Sequence, residues 1–445
     1  MPLPDLIEIV PPSLPPRAVV TIPGSKSITN RALILAALAR GRTTLRGALW
    51  SEDTQVMVDC LRRLGFSVTV EPDPAEAANR TIAVEGQGGI IPVAGGDTPL
   101  DLFVGNAGTA ARFVAALVCL GRGSYRLDGV PRMRERPQAA LFAALRQLGY
   151  RVDADNDRLP AVVHGAGPRQ GACTVSVRES SQFASALLLT GPAAGWHVAV
   201  SGANDEEMPY VEMTRRLVEV FPTGGGEFQV EPDASSGSYF WGANWLLNSE
   251  SAQEFPASGG RGETAADPQG SALIHVAHWP TSGWQVDERF PRFLPLPPEV
   301  SRRSDLGDSI MTALVLAPFA ARPVRFTDLG RLRVQECERV AALRTELTRC
   351  GADVREDGDT LTVFPSPDRL RGAEVETYHD HRMAMCFATL ALKVPGVRLK
   401  NPACVKKTFP NFFQKLAAPP PTGLGVTILG LPARQRLAPE DLVAE

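Results

Sequence analysis

Apolar and polar positions along the chain follow a unit that recurs. In each copy, an apolar-periodic helix ends at a glycine, and a short strand with alternating apolar positions follows directly. A glycine at that place is typical of a helix C-terminus, where the backbone turns into the left-handed region. The clear copies are CLRRLGFSVTVE (60–71), ALRQLGYRVDAD (144–155) and ELTRCGADVRED (346–357), and a weaker copy is RLVEVFPTGGGEFQVE (216–231).

Repetition of one helix–strand unit predicts an α/β (or α+β) architecture assembled from copies. An alternative stays open, because a helix, a glycine and a strand follow one another in many unrelated α/β proteins. Residues 248–270 are polar and poor in aliphatic side chains, which predicts an inserted loop. The tail after about residue 417 contains PPPTG and is expected to be peripheral.

Composition and charge narrow the class of protein. A hydrophobic fraction of 44% and a charged fraction of 21% over 445 residues are typical of a soluble protein of two or three domains. The formal net charge of -3 argues against a nucleic-acid-binding surface over the whole molecule. We also see neither a membrane-spanning apolar run nor a secretory signal. The 7 cysteines are scattered without a CxxC pair, which favours a reducing, cytoplasmic setting.

The stretch PGSKSITNR (23–31) leads small residues into the apolar helix ALILAALA. Free backbone N–H groups at a helix start, together with the hydroxyls of Ser25 and Ser27, predict an anion site. Lys26 adds a positive charge, and the next lysine in the chain is Lys393. The glycine spacing does not match a P-loop. The alternative is a capped core helix with solvated charges.

Three further stretches carry weaker signals of the same kind. FVGNAGTAARF (103–113) places Gly108 where a ligand can approach the backbone closely. SSQF (180–183) offers hydroxyl and amide groups, and RMRERP (132–137) offers three guanidinium groups that bind phosphate or carboxylate bidentately. An ordinary helix cap or a solvated charged face remains the alternative for each.

Charged residues also stand beside strongly apolar helices near the C-terminus. They occur in DLGDSIMTALVLAPFA (305–320), YHDHRMAMCFATLAL (378–392) and CVKKTFPNFF (404–413). Together, all these loops indicate a pocket for a small anionic molecule that bears phosphate and carboxylate groups.

Taken in order, these stretches resemble the EPSP synthases of the enolpyruvyl transferase family, over residues 18–240 and 305–416. The enolpyruvyl transferases that act on UDP-N-acetylglucosamine match less well, because they carry a cysteine where this chain has RMRERP. The resemblance implies two similar lobes built from repeated βαβαββ units, an inside-out α/β barrel. One lobe would be 22–232, with the Lys26, Arg31, Gly108, Arg136 and Ser180 loops, and the other 1–21 plus 233–445, with Asp308, Glu336, Arg339, Arg382 and Lys407.

The resemblance also implies an activity, which is transfer of the enolpyruvyl group of phosphoenolpyruvate to the 5-hydroxyl of shikimate 3-phosphate in aromatic amino acid biosynthesis. A cytoplasmic monomer without metal, cofactor, nucleic acid or membrane partner is expected. The implied phosphoenolpyruvate ligands are Lys26, Gly108, Arg136, Gln182, Arg339, Arg382 and Lys407. The implied acceptor ligands are Ser27, Arg31, Ser180, Ser181, Gln182 and Asp308. Asp308 would take the acceptor proton, and Glu336 and Lys26 would move protons at the enol carbon.

Several positions depart from the pattern of the family. Glu207, next to Glu206, replaces a phosphate-binding serine, and Gln335 replaces an acceptor-binding lysine. The other departures are Cys337 for threonine, Gly307 for the proline before Asp308, and Phe113 for a proline near the glycine-rich loop, which bears on the glyphosate binding that the resemblance implies. Two alternatives therefore stay open: a paralogue that uses another hydroxyl acceptor, including an unphosphorylated one, and a non-catalytic phosphoenolpyruvate-binding relative.

Overall fold

The computed structural model describes residues 3–96, 98–202, 207–248 and 273–444. Glu206 and residues 249–270 of the expected insertion lie outside the described residues. The chain divides into two compact units, which are Met1–Ile22 with Asp233–Glu445 (the first unit) and Pro23–Pro232 (the second unit). Over the described ranges, no helix has the length and apolar character needed to cross a membrane.

The elements follow one another as short strands and mostly short helices. Up to residue 232 they are β1 (Leu6–Val10), β2 (Ala18–Val20), α1 (Lys26–Leu38), β3 (Arg40–Leu49), α2 (Glu52–Arg63), β4 (Val68–Pro72), β5 (Asn79–Gln87), β6 (Leu100–Phe103), α3 (Gly108–Leu117), β7 (Arg122–Asp128), α4 (Pro131–Glu135), α5 (Ala139–Gln147), β8 (Arg151–Ala154), β9 (Ala161–Ala166), β10 (Gly171–Ser176), α6 (Ser181–Ala194), β11 (Trp196–Ser201), α7 (Met208–Val220) and β12 (Gly226–Gln229). After residue 232 they are α8 (Ala234–Asn248), β13 (Ile274–Val276), a 3-10 helix (Val286–Phe293), β14 (Glu299–Ser301), α9 (Ile310–Leu316), β15 (Val324–Thr327), α10 (Arg339–Arg349), β16 (Asp353–Asp357), β17 (Thr360–Phe364), β18 (Glu374–Val375), α11 (His381–Ala391), β19 (Arg398–Lys400), α12 (Phe412–Ala417), β20 (Thr427–Gly430) and β21 (Gln435–Arg436).

Three four-stranded sheets share the order of their last three strands and the pattern of parallel and antiparallel pairs, which confirms a mixed α/β fold built from copies. The orders are β12-β3-β5-β4 and β6-β7-β9-β8 in the second unit, and β14-β15-β17-β16 in the first unit. In each sheet the first pair is parallel and the other two pairs are antiparallel. The glycines that follow α2, α5 and α10 are Gly65, Gly149 and Gly351, with φ of +90°, +84° and +92°. The left-handed turns predicted for the three clear copies are therefore present.

The weaker copy differs from the clear ones in its pairing. β12 follows α7 but runs parallel to β3 at one edge of its sheet. The strands after the other three helices, β4, β8 and β16, are edge strands in antiparallel pairs. The same local pattern of helix, glycine and strand thus occupies two different places in the sheet.

The expectation of a peripheral C-terminal tail was wrong. β20 pairs antiparallel with β1 inside the five-stranded sheet β18-β19-β1-β20-β21. Ile428 in this strand is fully buried, and Val426 just before it is 1% exposed. Alternating apolar residues after the PPPTG segment therefore form part of the core of the first unit.

The buried helices position the functional loops. Every residue of α3 and of α9 is buried, including Arg112 and Thr312, so these two helices are held firmly in the cores of their units. Six helices begin within or directly after the predicted site stretches; they are α1 at Lys26, α3 at Gly108, α6 at Ser181, α9 at Ile310, α10 at Arg339 and α11 at His381. The positive ends of five of these helix dipoles therefore coincide with residues predicted to bind a substrate, and the start of α9 adjoins the carboxylate of Asp308.

Candidate active site

Lys26 is held by an aspartate of the next helix. Its Nζ lies 3.0 Å from Oδ2 of Asp53 in α2, and the lysine and aspartate side chains are 20% and 5% exposed. The loop before Lys26 is fixed by a 2.8 Å hydrogen bond from the Gly24 N–H to Asn79 Oδ1. A β-carbon on Gly24 would lie 2.0 Å from the carbonyl oxygen of Gly47, so this close backbone approach requires glycine. Lys26 therefore starts α1 from a rigid turn.

Arg31 is a buried guanidinium, 2% exposed. Its Nε donates to Thr214 Oγ1 at 2.7 Å, Nη2 to Ser185 Oγ at 3.0 Å and Nη1 to the Ser27 carbonyl at 2.9 Å. Burial lowers the pKa of Arg31 to about 10, against a smaller opposing effect of Tyr210, so the group stays charged near neutral pH. These hydroxyl and carbonyl partners position the charge that, by the family resemblance, is expected to bind the acceptor.

Gly108 and Arg136 form the second cationic spot of this unit. A β-carbon on Gly108 would lie 2.7 Å from Nη2 and 3.0 Å from Nη1 of Arg136, so the guanidinium packs directly on the glycine. Nη1 of Arg136 also lies 3.4 Å from the Asn106 carbonyl oxygen. The guanidinium thus lies against the first residue of α3, where the helix dipole is also positive. Two positive groups together favour an anionic ligand at this place.

The arginines of RMRERP have three different surroundings. Arg132 pairs with Glu135 at 2.7 Å on the exposed face. Arg134 makes two hydrogen bonds to Asp128, at 2.9 and 3.0 Å. Arg136 is the member that reaches Gly108. The structure therefore separates one candidate ligand from two structural ion pairs, which the sequence could not do.

Ser180 caps helix α6, as its sequence position suggested. Its Oγ accepts a 3.2 Å hydrogen bond from the Gln182 N–H. The neighbouring Ser181 N–H donates to Oε2 of Glu207, whose side chain comes from the start of α7 and is 6% exposed. The Gln182 Oε1 atom is buried and accepts no hydrogen bond from the part of the chain that the structure describes. A carboxylate thus takes a helix-terminal donor beside the predicted acceptor ligands.

In the first unit, Asp308 stands among three arginines. Its Oδ1 lies 3.2 Å from Arg302 Nη2, and its Oδ2 lies 3.0 Å from Arg382 Nε and 3.9 Å from Arg339 Nη1. Burial alone would raise the pKa of Asp308, but Arg382, Arg339 and Arg302 together outweigh it and hold the pKa well below its usual range. Asp308 is therefore an anion in this arrangement.

Arg339 is the most enclosed of these cations, with a side chain 1% exposed. Its Nε lies 2.7 Å from Oδ2 of the fully buried Asp380, and its Nη2 lies 3.2 Å from Oδ1. Its Nη1 donates to Gln335 Oε1, an interaction that a lysine at 335 could not accept. Cys337 Sγ lies 3.5 Å from Asp380 Oδ2 in the same cluster. Both departures from the family pattern at 335 and 337 are thus accommodated.

Glu336 bridges Arg339 to Lys407. Its Oε2 lies 2.9 Å from Arg339 Nη2, and its Oε1 lies 3.2 Å from Lys407 Nζ. The five predicted residues of this unit, which are Asp308, Glu336, Arg339, Arg382 and Lys407, therefore form one connected ion-pair network. Such a network offers cations for an anionic ligand and carboxylates for proton transfer.

Some residues that organise the site were not assigned roles from the sequence. Asp53, Arg302, Asp287 and Asp380 each contact a predicted site residue or its peptide neighbours. The sequence could have indicated Asp380, because it stands two residues before Arg382 at the start of an apolar helix. Arg302 and Asp287 lie in or near the proline-rich stretch 290–304, where no periodic pattern indicates which side chains turn inward.

The fold of the chain is similar to that of two solved enolpyruvyl transferases. An EPSP synthase from Acinetobacter baumannii has a TM-score of 0.68 at 20% sequence identity, with 95% of this chain and 99% of that chain covered. An enolpyruvyl transferase from Streptomyces tendae has a TM-score of 0.67 at 16% identity, with 98% and 100% covered. At these identities the likeness concerns the fold alone.

Sequence comparison is more specific. Residues 14–416 match the family model of EPSP synthase (3-phosphoshikimate 1-carboxyvinyltransferase). Relatives named 3-phosphoshikimate 1-carboxyvinyltransferase are 38% identical in Nostoc punctiforme, over 92% of this chain and 98% of the relative, and 38% identical in Opitutus terrae, over 94% and 98%. The chain belongs to the EPSP synthase family and is a transferase.

Proposed function

We propose that this chain transfers the enolpyruvyl group of phosphoenolpyruvate to the 5-hydroxyl of shikimate 3-phosphate and releases phosphate. The ion-pair network around Asp308 carries this proposal, because it joins three cations of the phosphoenolpyruvate set to two carboxylates. The name that the relatives share supports the choice of substrates.

The cations supply the binding of phosphoenolpyruvate. Guanidinium and ammonium groups form charge-assisted hydrogen bonds with its phosphate and carboxylate. We assign this role to Lys26, Gly108, Arg136, Gln182, Arg339, Arg382 and Lys407, and the acceptor to Ser27, Arg31, Ser180, Ser181, Gln182 and Asp308. Arg382 pairs with Asp308, and Lys407 pairs with Glu336. A bound phosphoenolpyruvate would share these two cations with the two carboxylates.

The addition step requires a proton to be added to carbon and another to be removed from the acceptor hydroxyl. Lys26 or Glu336 protonates the methylene carbon of phosphoenolpyruvate, and Asp308 removes the proton from the acceptor hydroxyl. The hydroxyl oxygen bonds to the enol carbon and gives a tetrahedral intermediate. The bond between this carbon and the phosphate oxygen then breaks, and phosphate leaves with the proton that Asp308 took from the acceptor. The methyl group returns one proton to the residue that supplied it, which restores the double bond.

Asp308 becomes a better base when substrate binds. The three arginines that depress its pKa include two, Arg339 and Arg382, that we assign to phosphoenolpyruvate. An anionic substrate between them weakens their effect on the carboxylate, and the pKa of Asp308 rises toward its usual range. The network therefore links binding of the donor to activation of the base.

The test is phosphate release from phosphoenolpyruvate by the purified chain, with shikimate 3-phosphate and with unphosphorylated shikimate as rival acceptors. We expect turnover with shikimate 3-phosphate and loss of turnover in Asp308→Asn. Absence of phosphate release with both acceptors, in a folded chain that still binds phosphoenolpyruvate, would contradict the proposed reaction.

A second candidate is enolpyruvyl transfer to an unphosphorylated hydroxyl acceptor. The observation that favours it is the buried carboxylate of Glu207 at the Ser181 N–H, because a carboxylate and an acceptor phosphate repel each other at one helix terminus. Turnover with shikimate but not with shikimate 3-phosphate would establish this second candidate.

We also propose that the chain acts as a monomer in the cytoplasm. All seven cysteines are free thiols, in keeping with a reducing compartment. Sedimentation of the purified chain and fractionation of the source cells test the two statements separately.

A further inference from the structure

Asp287 is a buried carboxylate to which the proposed function gives no role. It lies in the 3-10 helix Val286–Phe293 and is 3% exposed. Its two oxygens accept four hydrogen bonds, which come from Gly307, Ser309 (twice) and Ser235. Since a buried carboxylate is costly without such partners, this arrangement fixes the position of every group that donates to it.

Three of the four hydrogen bonds enclose Asp308. The Gly307 N–H donates to Asp287 Oδ1 at 2.7 Å, and the Ser309 N–H donates to Oδ2 at 3.2 Å. The Ser309 hydroxyl adds a bond of 2.6 Å to Oδ1. The residues on both sides of Asp308 are therefore bound to one side chain, which fixes the direction in which the Asp308 carboxylate leaves the backbone.

The fourth hydrogen bond anchors Asp287 to another helix. The Ser235 hydroxyl in α8 donates to Asp287 Oδ2 at 2.5 Å. Two residues before Asp287, the Gln285 side-chain oxygen accepts the Ala234 N–H at 3.0 Å. The segment 285–287 thus joins the start of α8 to the turn before α9.

Glycine at position 307 suits this arrangement for two reasons. Its N–H makes the shortest backbone bond to Asp287, and proline at this position would lack that donor. A β-carbon there would lie 3.1 Å from Asp287 Oδ1 and 3.3 Å from Oδ2, so the carboxylate would have to shift by a few tenths of an ångström against its four hydrogen bonds. Glycine at position 307 therefore allows both the hydrogen bond to Asp287 and the close approach of its carboxylate.

We propose that Asp287 is the positioning residue for Asp308 and that it aims the Asp308 carboxylate at Arg302 and Arg382. The proposal rests on the proposed function, in which Asp308 takes the proton of the acceptor. Asp287 touches neither substrate. It acts by holding the turn 307–309, so its loss changes the geometry of the base rather than the cations that bind phosphoenolpyruvate.

Two serine variants separate positioning from stability. Ser309→Ala and Ser235→Ala each remove one hydroxyl donor to Asp287, so both should lower Tm by a similar amount. Only Ser309 belongs to the turn that carries Asp308. We expect Ser309→Ala to lower kcat about tenfold or more, since small misplacements of a reacting group are costly, with the KM for phosphoenolpyruvate within about threefold of the unchanged chain. Ser235→Ala should keep kcat within about twofold, and Asp287→Asn should behave like Ser309→Ala.

A crystal structure of Ser309→Ala gives a readout that does not depend on the acceptor. In Ser309→Ala we expect the distance between Asp308 Oδ2 and Arg382 Nε, 3.0 Å in the unchanged chain, to become longer. In Ser235→Ala this distance should stay the same. Equal loss of kcat in the two serine variants, or an unchanged Asp308–Arg382 contact in Ser309→Ala, would overturn the proposal. An unchanged chain that turns over neither acceptor would instead overturn the proposed function, and the crystal structures would still decide the role of Asp287.

Discussion

The backbone N–H of Ser181 donates a hydrogen bond to Oε2 of Glu207, so a buried carboxylate lies at the positive end of helix α6. Helix N-termini stabilise anions, and here the chain supplies its own anion. A phosphate group at the same donor has to displace Glu207 or to accept its repulsion. Under the proposed function, we therefore expect Glu207 to weaken the binding of a phosphorylated acceptor.

Replacing Glu207 tests that dependence. We expect Glu207→Ser to lower the KM for shikimate 3-phosphate about tenfold, which corresponds to about 1.4 kcal/mol, because the like charge is removed. Glu207→Gln is the matched control for size, and it should shift the same constant in the same direction. The KM for unphosphorylated shikimate should stay constant in both variants. Steady-state phosphate release measures the KM values for both acceptors in the unchanged chain and in the two variants. An unchanged KM for shikimate 3-phosphate means that Glu207 does not face the acceptor phosphate.

Gly108 sets the position of Arg136. In Gly108→Ala the new methyl group would lie 2.7 Å from Nη2 of Arg136, so the guanidinium has to move. Because we assign Arg136 to phosphoenolpyruvate, we expect its KM to rise about tenfold, with a smaller change in kcat. Gly224→Ala is a suitable control, since a β-carbon there meets no atom within 4 Å. Equal KM values in the two variants would show that the guanidinium relocates without consequence.

Lys26 is expected to need an ammonium group rather than a guanidinium. An ammonium is compact and can release its proton far more readily than a guanidinium, which stays protonated. We expect Lys26→Arg to lower kcat about a hundredfold, because general acid–base steps typically contribute that much. Asp53→Asn should have a smaller effect, since it removes the 3.0 Å partner of Lys26 but keeps the amine. Full turnover by Lys26→Arg contradicts a role of Lys26 in proton transfer.

Local signals in the sequence predicted the fold better than the site. Gly65, Gly149 and Gly351 marked helix ends because a left-handed residue is required there, whatever the rest of the chain does. The pairing of Glu207 with Ser181 joins residues 26 positions apart, and that of Asp287 with Gly307 joins residues 20 positions apart. Such pairings depend on tertiary packing, so neither pattern nor composition could indicate them. The resemblance to a family supplied the candidate residues, and the structure supplied their partners.

The ion pairs of Asp308 predict an acid-dependent stability. Burial opposes its ionisation, but Arg382, Arg339 and Arg302 hold its pKa below the value of about 3.9 for an unfolded aspartate. Because the folded-state pKa is the lower one, Asp308 contributes stability above about pH 4, and this contribution is lost as the pH falls toward the folded-state pKa. We expect the free energy of unfolding to decline less steeply in Asp308→Asn than in the unchanged chain between about pH 5 and pH 3. Urea denaturation at several pH values measures both slopes, and parallel slopes would contradict the prediction.

The Asp380–Arg339 pair is expected to be the costliest ion pair to break. The two side chains are 0% and 1% exposed, and their closest atoms, Oδ2 and Nε, are 2.7 Å apart. Removing one charge leaves the other buried without its main partner, which typically costs about 3–5 kcal/mol. We expect Asp380→Asn to lower the free energy of unfolding by about that amount and to raise the KM for phosphoenolpyruvate, because Arg339 loses its orientation. The control is Glu299→Gln, which breaks the 2.9 Å pair with Arg325 between side chains that are 54% and 58% exposed and should cost less than about 1 kcal/mol. Similar losses in the free energy of unfolding in the two variants would mean that burial does not raise the contribution of the Asp380–Arg339 pair to stability.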